Sequence, residues 1–448
     1  MMFGNTKKRI IKQYNQLREK RNYFAFCQAP FMALRFHRNG GVQMCCHHID
    51  FQYLNEKSLE DIWFGAELDK MRKQMKDYEI PDSCRFCSDP FYAGDFSNVN
   101  ALAFDYLKPN SNGFPVLMDF SLENTCNLSC IMCDASLSSS IQRDLGIKEK
   151  QTKFQYDENF IEQLTPFIEH LKVAVFTGGE PFLIKPYYGI WERMLSINPD
   201  IVFNITTNGT VYNDKIAKLL ISGNFNITVS LDSLNKKVYE EIRKGAKFEQ
   251  TLENVEQFAR ICKDKGTIFT ITVCPMQINS KEMPEIVSYC NEKNWDFSYN
   301  TVLKPWNQAL WSLPLNELSG LVSYYKDCKF ETAENQQQID NLDKFNSLIK
   351  LLENWKEKLN ELNLKKLSSK QKQDYRDSLL YLIKEKLDNK EELIENINDV
   401  VSQIPEILIR QELVDYVKNM SSKIIKKEFD DYDTDTIAYH LCIVAFNL

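Results

Sequence analysis

"VLMDFSLENTCNLSCIMC", residues 116–133, passes from a short apolar run straight into a loop holding Cys126, Cys130 and Cys133. The first part, "VLMDFSL", has the length and composition of a strand. The second part crowds three thiols into eight positions, and such short spacings force the sulfurs toward one point. Four-iron clusters usually take four thiolates. Three protein ligands leave one iron open, and an open metal position is where a substrate or cofactor binds. Zinc is the competing reading, but zinc usually draws on two separated Cys or His pairs rather than one CxxxCxxC loop.

From about residue 116 to 304, strands alternate with helices. The further strands are "KVAVFTG", "IVFNITTNG", "NITVSLDS", "TIFTITVCP" and "DFSYNTV", with helical stretches such as "YDENFIEQLTPFIEHL" and "NDKIAKLLISG" between them. Alternation at this spacing implies parallel strands with crossover helices, curved into a barrel or wound into an open sheet. Chemistry then collects at the carboxyl ends of the strands. Polar motifs sit at those ends: "FTGGEP" with Gly178, Gly179, Glu180 and Pro181, "TTNG" with Thr207 and Asn208, and "SLDS". Ser230 and Asp232 lie two apart and so share a strand face. Cys274 closes the fifth strand, on the face of Thr270 and Thr272. A thiol there is placed to touch a substrate as a catalytic group, although a small buried hydrophobe is the commoner role of such a cysteine.

"CNLSCIMC" resembles the CxxxCxxC signature of the radical S-adenosylmethionine (SAM) enzymes. The resemblance implies a partial (β/α)6 TIM-like barrel and a four-iron cluster whose open iron takes the SAM amino and carboxylate groups. It implies reductive cleavage of SAM to a 5′-deoxyadenosyl radical that abstracts hydrogen from a C–H bond. By the same resemblance Gly178, Gly179 and Glu180 bind the SAM ammonium and Ser230 its ribose. Arg243 resembles an arginine that pairs with the SAM carboxylate in peptide-modifying members. Met132 stands where an aromatic residue is common, and its thioether fills the same space near adenine. A reductant of the flavodoxin or ferredoxin kind is implied as partner.

A second resemblance lies upstream. "CQAPFMALRFHRNGGVQMCC", then "SLEDIW" and "CRFC", is similar to the auxiliary-cluster modules called SPASM and twitch, here ahead of the barrel. It implies an auxiliary four-iron cluster on Cys27, Cys45, Cys84 and Cys87, with Cys46 as a neighbour able to replace Cys45. Structural zinc on the same four thiols is the alternative. His47 and His48 are not needed as ligands. Within this zone Asn39-Gly40-Gly41 reads as a hairpin turn and "SLEDIWFGAELDKMRKQM" as a helix with Ile62, Trp63, Leu68 and Met71 inward.

The chain has 448 residues, 43% of them hydrophobic, which is ordinary for a soluble globular protein and enough for two or three domains. A net charge of −7 argues against general binding to nucleic acid. The amino-terminal stretch lacks a secretory h-region and no apolar run reaches membrane length, so a cytoplasmic location is expected. Thirteen cysteines in such a chain are not read as disulfides. The expected divisions are a basic N-terminal helix (1–22), read as solvated, an auxiliary-cluster module (23–95), the core barrel (116–304) and a mainly helical region (305–448). In that last region Ile339, Leu342, Phe345, Ile349, Leu352, Trp355, Leu359 and Leu362 form a helical stripe, Ser369 reads as an N-cap, Pro405 interrupts or starts a helix, and "AYHLCIVAFNL" reads as a docked strand or helix. Enzymes with auxiliary modules mostly modify ribosomally made peptides by cross-linking, oxidation or epimerisation. A small sugar, aminocyclitol or nucleotide is the second substrate class. An electron-transfer protein without catalysis is a third reading, and such a protein has no use for GGE or SLDS.

Overall fold

The computed structural model describes residues 2–48, 52–93, 96, 99–147, 154–364, 366–420, 422, 425–426, 429, 434, 437–438 and 440–442. The division expected at residue 95 and most of the closing 438–448 stretch lie outside them. Two compact units emerge. The first holds residues 1–273, 286–299 and 333–341; the second holds 274–285, 300–332 and 342–448.

A nine-stranded sheet forms the first unit. Its strands are β1 (Ala33–His37), β2 (Gly41–Gln43), β3 (Gln52–Tyr53), β4 (Leu117–Ser121), β6 (Val173–Phe176), β7 (Val202–Thr207), β8 (Asn224–Ser230), β10 (Phe269–Val273) and β11 (Asp296–Tyr299); a separate two-stranded ribbon joins β5 (Ser129–Cys130) to β9 (Arg243–Lys244). The spatial order is β11-β10-β8-β7-β6-β4-β1-β2-β3. All six strands expected between 116 and 304 are present and parallel to their neighbours, as a partial (β/α)6 barrel requires. The helices between them bury apolar stripes, such as Phe160, Ile161, Leu164 and Phe167 on Glu158–Ile168.

One pairing was not legible in the sequence. β1, from the cysteine-rich upstream zone, lies parallel to β4 over its whole length, Ala33 against Leu117 through His37 against Ser121. The upstream zone and the barrel therefore share one sheet and fall in one compact unit. The hairpin of β1 and β2 has the expected turn, with Gly40 at φ 81° and the Asn39 side chain accepting from Gly41 N. The predicted "SLEDIWFGAELDKMRKQM" helix is two, Leu59–Trp63 capped by Ser58 and Ala66–Lys76 capped by Gly65; Ile62, Trp63, Leu68 and Met71 are buried as expected.

The two faces of the sheet differ. On one face, Phe36, Phe120 and Phe176 stack in a row across β1, β4 and β6, at 5.1 and 4.8 Å between ring centres, and Phe203 stacks on Phe225 one layer below. Such cross-strand aromatic ladders fix register as well as burying area. The opposite face is polar and mostly part-exposed. Asp119, Asn204 and Asn226 lie in one layer, and Thr206, Thr228 and Thr270 in the next. The expected alternation at Thr270 and Thr272 holds, since they pair in register with Thr228 and Ser230 on this polar face.

The solvated reading of the basic N-terminal helix is corrected at its carboxyl end. Tyr14 is fully buried and donates to Phe26 O, and Arg18 is buried in a two-pronged pair with Asp105 at 2.6 and 2.8 Å. An aromatic cluster of Tyr14, Phe26 and Phe91 anchors the helix Met2–Gln16. At the other edge, Asn341 accepts from Phe297 N and donates to Trp295 O, covering backbone groups of edge strand β11.

The second unit is helical. Its part of the helix Gln336–Leu364, from Leu342 on, buries Phe345, Ile349, Leu352, Trp355 and Leu359 from the expected stripe, while Ile339, in the first unit, is exposed. The cap of Ser369–Lys386 is Ser368 rather than Ser369, in a capping box with Gln371. Pro405 precedes the short helix Glu406–Leu408.

Candidate functional site

The cysteine triplet leaves the carboxyl end of β4, and three segments clamp its loop. First, the GGE turn lies directly against it. Gly179 N donates to Glu123 O and Glu180 N to Thr125 O, at 3.0 and 2.7 Å. A side chain has no room there: a Cβ on Gly178, at φ 108°, would stand 2.6 Å from Glu123 O, and one on Gly179 would stand 2.2 Å from Thr125 O. Second, Asn208 donates to Asn127 Oδ1 and lies 3.9 Å from Cys126 Sγ. Third, β5 pairs with β9, placing Cys130 opposite Arg243, and Ile131 N donates to Ile242 O.

A serine run tightens the loop from below. Ser139 accepts from Cys126 N; Ser139 and Ser140 both donate to Cys126 O; Ser138 donates to Leu128 O and caps the helix Ser139–Asp144. These serines were not singled out in the sequence. Their signal was there, an N-cap residue placed a few positions beyond the third cysteine.

Glu180 takes a different place from the one its motif implies. Its carboxylate is completely buried and both oxygens are taken: Thr207 Oγ1 and Phe182 N donate to Oε1, and Asn208 N donates to Oε2 at 2.7 Å. Burial pushes its pKa up against the pull of those donors. Here the carboxylate ties the end of β7 to the GGE turn. Asp232 and Arg243 are likewise joined to each other, Asp232 Oδ2 to Arg243 Nε at 2.7 Å, with both side chains buried. Arg243 Nη1 also reaches to 3.8 Å from Cys130 Sγ. Burial raises the Cys130 thiol's pKa and the guanidinium lowers it. Ser230 lies on the polar sheet face opposite Thr272, Met132 is part-buried in the cysteine loop, and Pro181 starts the turn after Glu180. Cys274 follows β10 and belongs to the second compact unit, where Asn279 donates to its carbonyl.

Upstream, Cys27, Cys45, Cys84 and Cys87 line one pocket together with His47, His48, Phe26 and Phe86. Burial pushes the Cys87 thiol up to about 11 and Cys45 to about 12, and moves Cys27 and Cys84 the same way. Cys46 is exposed, does not line the pocket, and feels Arg35 and Asp119 on the polar sheet face instead. Cys45 thus lines the pocket and Cys46 does not. His47 lies in the wall, stacked on Phe86 at 4.5 Å.

Both thiol groups suit iron–sulfur clusters by donor chemistry. Soft thiolates are the ligands such clusters take, and a cation is what makes ionising several buried thiols favourable. Among the described residues no three Cys, His, Asp or Glu side chains stand at the spacing of a single bound ion.

Residues 121–290 match the model of the radical SAM superfamily, and residues 27–88 match SPASM, an iron–sulfur cluster-binding domain. The chain carries a radical SAM domain and, upstream of it, an iron–sulfur cluster-binding domain. These two domains imply SAM, a SAM-binding [4Fe-4S] cluster and an auxiliary cluster as cofactors. Among curated proteins it is similar to a GTP 3′,8-cyclase of Aliarcobacter butzleri, 26% identical over 188 residues, covering 41% of this chain and 55% of the relative. A GTP 3′,8-cyclase of Alkaliphilus metalliredigens is also 26% identical, over 50% of this chain and 64% of that one. The chain thus spans about half the length of the curated relatives it matches. Among solved structures, native anSMEcpe with bound AdoMet is 22% identical over 47% of this chain and 60% of its own, with a TM-score of 0.36. Streptococcus suis SuiB is 17% identical over 57% and 60%, also at 0.36. No helix among the described residues is long and apolar enough to cross a membrane.

Proposed function

We propose that this radical SAM enzyme abstracts a hydrogen atom from a C–H bond of a ribosomally made peptide, reduced for the purpose by a flavodoxin- or ferredoxin-like donor. The observation that carries the reaction class is the cysteine loop at the mouth of β4, clamped by the GGE turn, Asn208 and β9. The cofactors, when bound, supply one-electron cleavage of SAM and the hydrogen-abstracting chemistry that follows from it.

The chain's own residues do the rest. Glu180, Thr207 and Asn208 hold the carboxyl end of β7 in a fixed relation to Cys126, which preorganises the site. The part-exposed polar face, with Thr206, Thr228 and Thr270, offers hydroxyl groups that match peptide N–H and C=O groups. The aromatic ladder behind it keeps that face rigid. The peptide reading rests on the resemblance of residues 27–88 to auxiliary modules. A second reading, a nucleotide substrate, is favoured by the several curated relatives named as GTP 3′,8-cyclases.

The test is anaerobic reconstitution followed by assay of 5′-deoxyadenosine, with the peptides encoded beside the gene in one arm and GTP in the other. Stimulation and a mass change on a peptide support the proposal. Consumption of GTP alone overturns the peptide assignment, and absence of SAM cleavage in every arm overturns the reaction class.

A further inference from the structure

Arg243 has been placed here by resemblance as a partner of the SAM carboxylate, yet its surroundings describe another task. Its backbone is locked opposite Cys130 by the β5–β9 ribbon. Its Nε is held by Asp232 at 2.7 Å, with the guanidinium side chain 8% exposed and the carboxylate 0%. Its Nη1 stands 3.8 Å from the Cys130 sulfur, within reach of an N–H to sulfur hydrogen bond. A buried ion pair is costly to maintain unless its geometry is put to use, because both ions lose their hydration. Of its two charges, the guanidinium is the one that stands within hydrogen-bond reach of the Cys130 sulfur.

We propose that Asp232 and Arg243 act as positioning residues for charge at the SAM-binding cluster, the fixed guanidinium donating to the Cys130 sulfur and raising the reduction potential of that cluster. The inference rests on the reading of Cys126, Cys130 and Cys133 as its ligands. A cation beside the cluster favours the reduced, more negative state, and low local dielectric strengthens the effect. Hydrogen bonds to the sulfurs and net local charge are among the levers that set cluster potentials. Asp232 fixes the guanidinium and partly cancels it, so the two residues shift the potential in opposite directions.

The experiment is a redox titration of the anaerobically reconstituted full chain without SAM, followed by electron paramagnetic resonance. The cluster in question is the one whose signal changes when SAM is later added. In R243Q the ratio of reduced to oxidised cluster at fixed applied potential is expected to fall about tenfold, or about 59 mV for a one-electron couple. D232N is expected to move it the other way, and R243K, which keeps a charge without the planar fork, to fall between R243Q and wild type. If D232N fails to load the cluster, R243Q and R243K still decide the matter. A SAM-free potential in R243Q equal to wild type, with weaker SAM binding, would overturn the proposal and leave Arg243 acting on SAM alone. A wild-type chain with no SAM-responsive cluster would instead sink the ligand assignment beneath it.

Discussion

The Glu180 carboxylate accepts from Thr207, Phe182 and Asn208 in a fully buried setting, so both of its oxygens must be acceptors. Glu180→Gln puts an amide N–H2 against one of those donors. Leaving a buried donor unsatisfied costs roughly 1–3 kcal/mol. The expected outcome is a loss of stability of that order, read as a lower Tm, and weaker SAM binding, since the end of β7 loses its tie to the GGE turn. Unchanged stability and unchanged SAM affinity would show GGE to be an ordinary turn. The pH dependence has a definite sign. Burial raises this carboxyl's pKa above its ordinary value of 4.5, so the folded chain keeps the proton longer than the unfolded one. The stability contributed by this group is present below 4.5 and is lost as pH climbs through the folded-state value. Unfolding curves of wild type and the Gln variant should therefore show wild type losing ground to the variant as pH rises from 4.5. A difference that stays flat would mean that the carboxyl is not perturbed.

The GGE turn and the cysteine loop are one object at the scale of elements. Gly179→Ala would place a methyl 2.2 Å from Thr125 O, one residue before Cys126. Backbone cannot yield there without moving the cysteine. The variant is expected to lose most of the SAM-binding cluster while keeping the auxiliary one, so iron per chain should fall by about half relative to a two-cluster enzyme. Full iron content in Gly179→Ala would refute this coupling. The strands and the thiol motifs were legible because strand composition, turn residues and close Cys spacing are local signals. The ladder of Phe36, Phe120 and Phe176 was not, since neighbours in a sheet leave no mark of their pairing in sequence. The break before Gly65 and the shift of the cap from Ser369 to Ser368 were missed for another reason. Boundaries turn on single hydrogen bonds, such as Ser58 accepting from Asp61 N, that composition does not distinguish. Glu180, Asp232 and Arg243 were identified as site residues, but whether a charged group faces a ligand or another side chain depends on what the fold brings beside it.

For the molecule as a whole, the parallel seam of β1 and β4 sets how the two thiol groups relate within the first unit. Arg35 on β1 bonds Asp119 on β4 across that seam, on the polar face of the sheet. The auxiliary thiols come from either side of β1 and β2, Cys27 before the pair and Cys45 after it, together with Cys84 and Cys87 from the segment 82–93. A cluster on these four would join the segments on either side of β1 and β2, whereas the cysteine triplet is clamped by the GGE turn, Asn208 and β9. The two centres thus draw on different segments of one sheet. Four protein thiolates leave no iron open to SAM, so the auxiliary cluster suits electron transfer and not SAM binding. Cys84→Ala combined with Cys87→Ala is expected to remove about half the iron, to leave 5′-deoxyadenosine formation in place, and to uncouple it from substrate turnover. Cys126→Ala, Cys130→Ala and Cys133→Ala together should remove the other half and all SAM cleavage. Iron analysis with an assay of 5′-deoxyadenosine reads both. Loss of SAM cleavage in the Cys84 and Cys87 variant, with the triplet cluster still loaded, would show that the shared sheet couples the two centres after all.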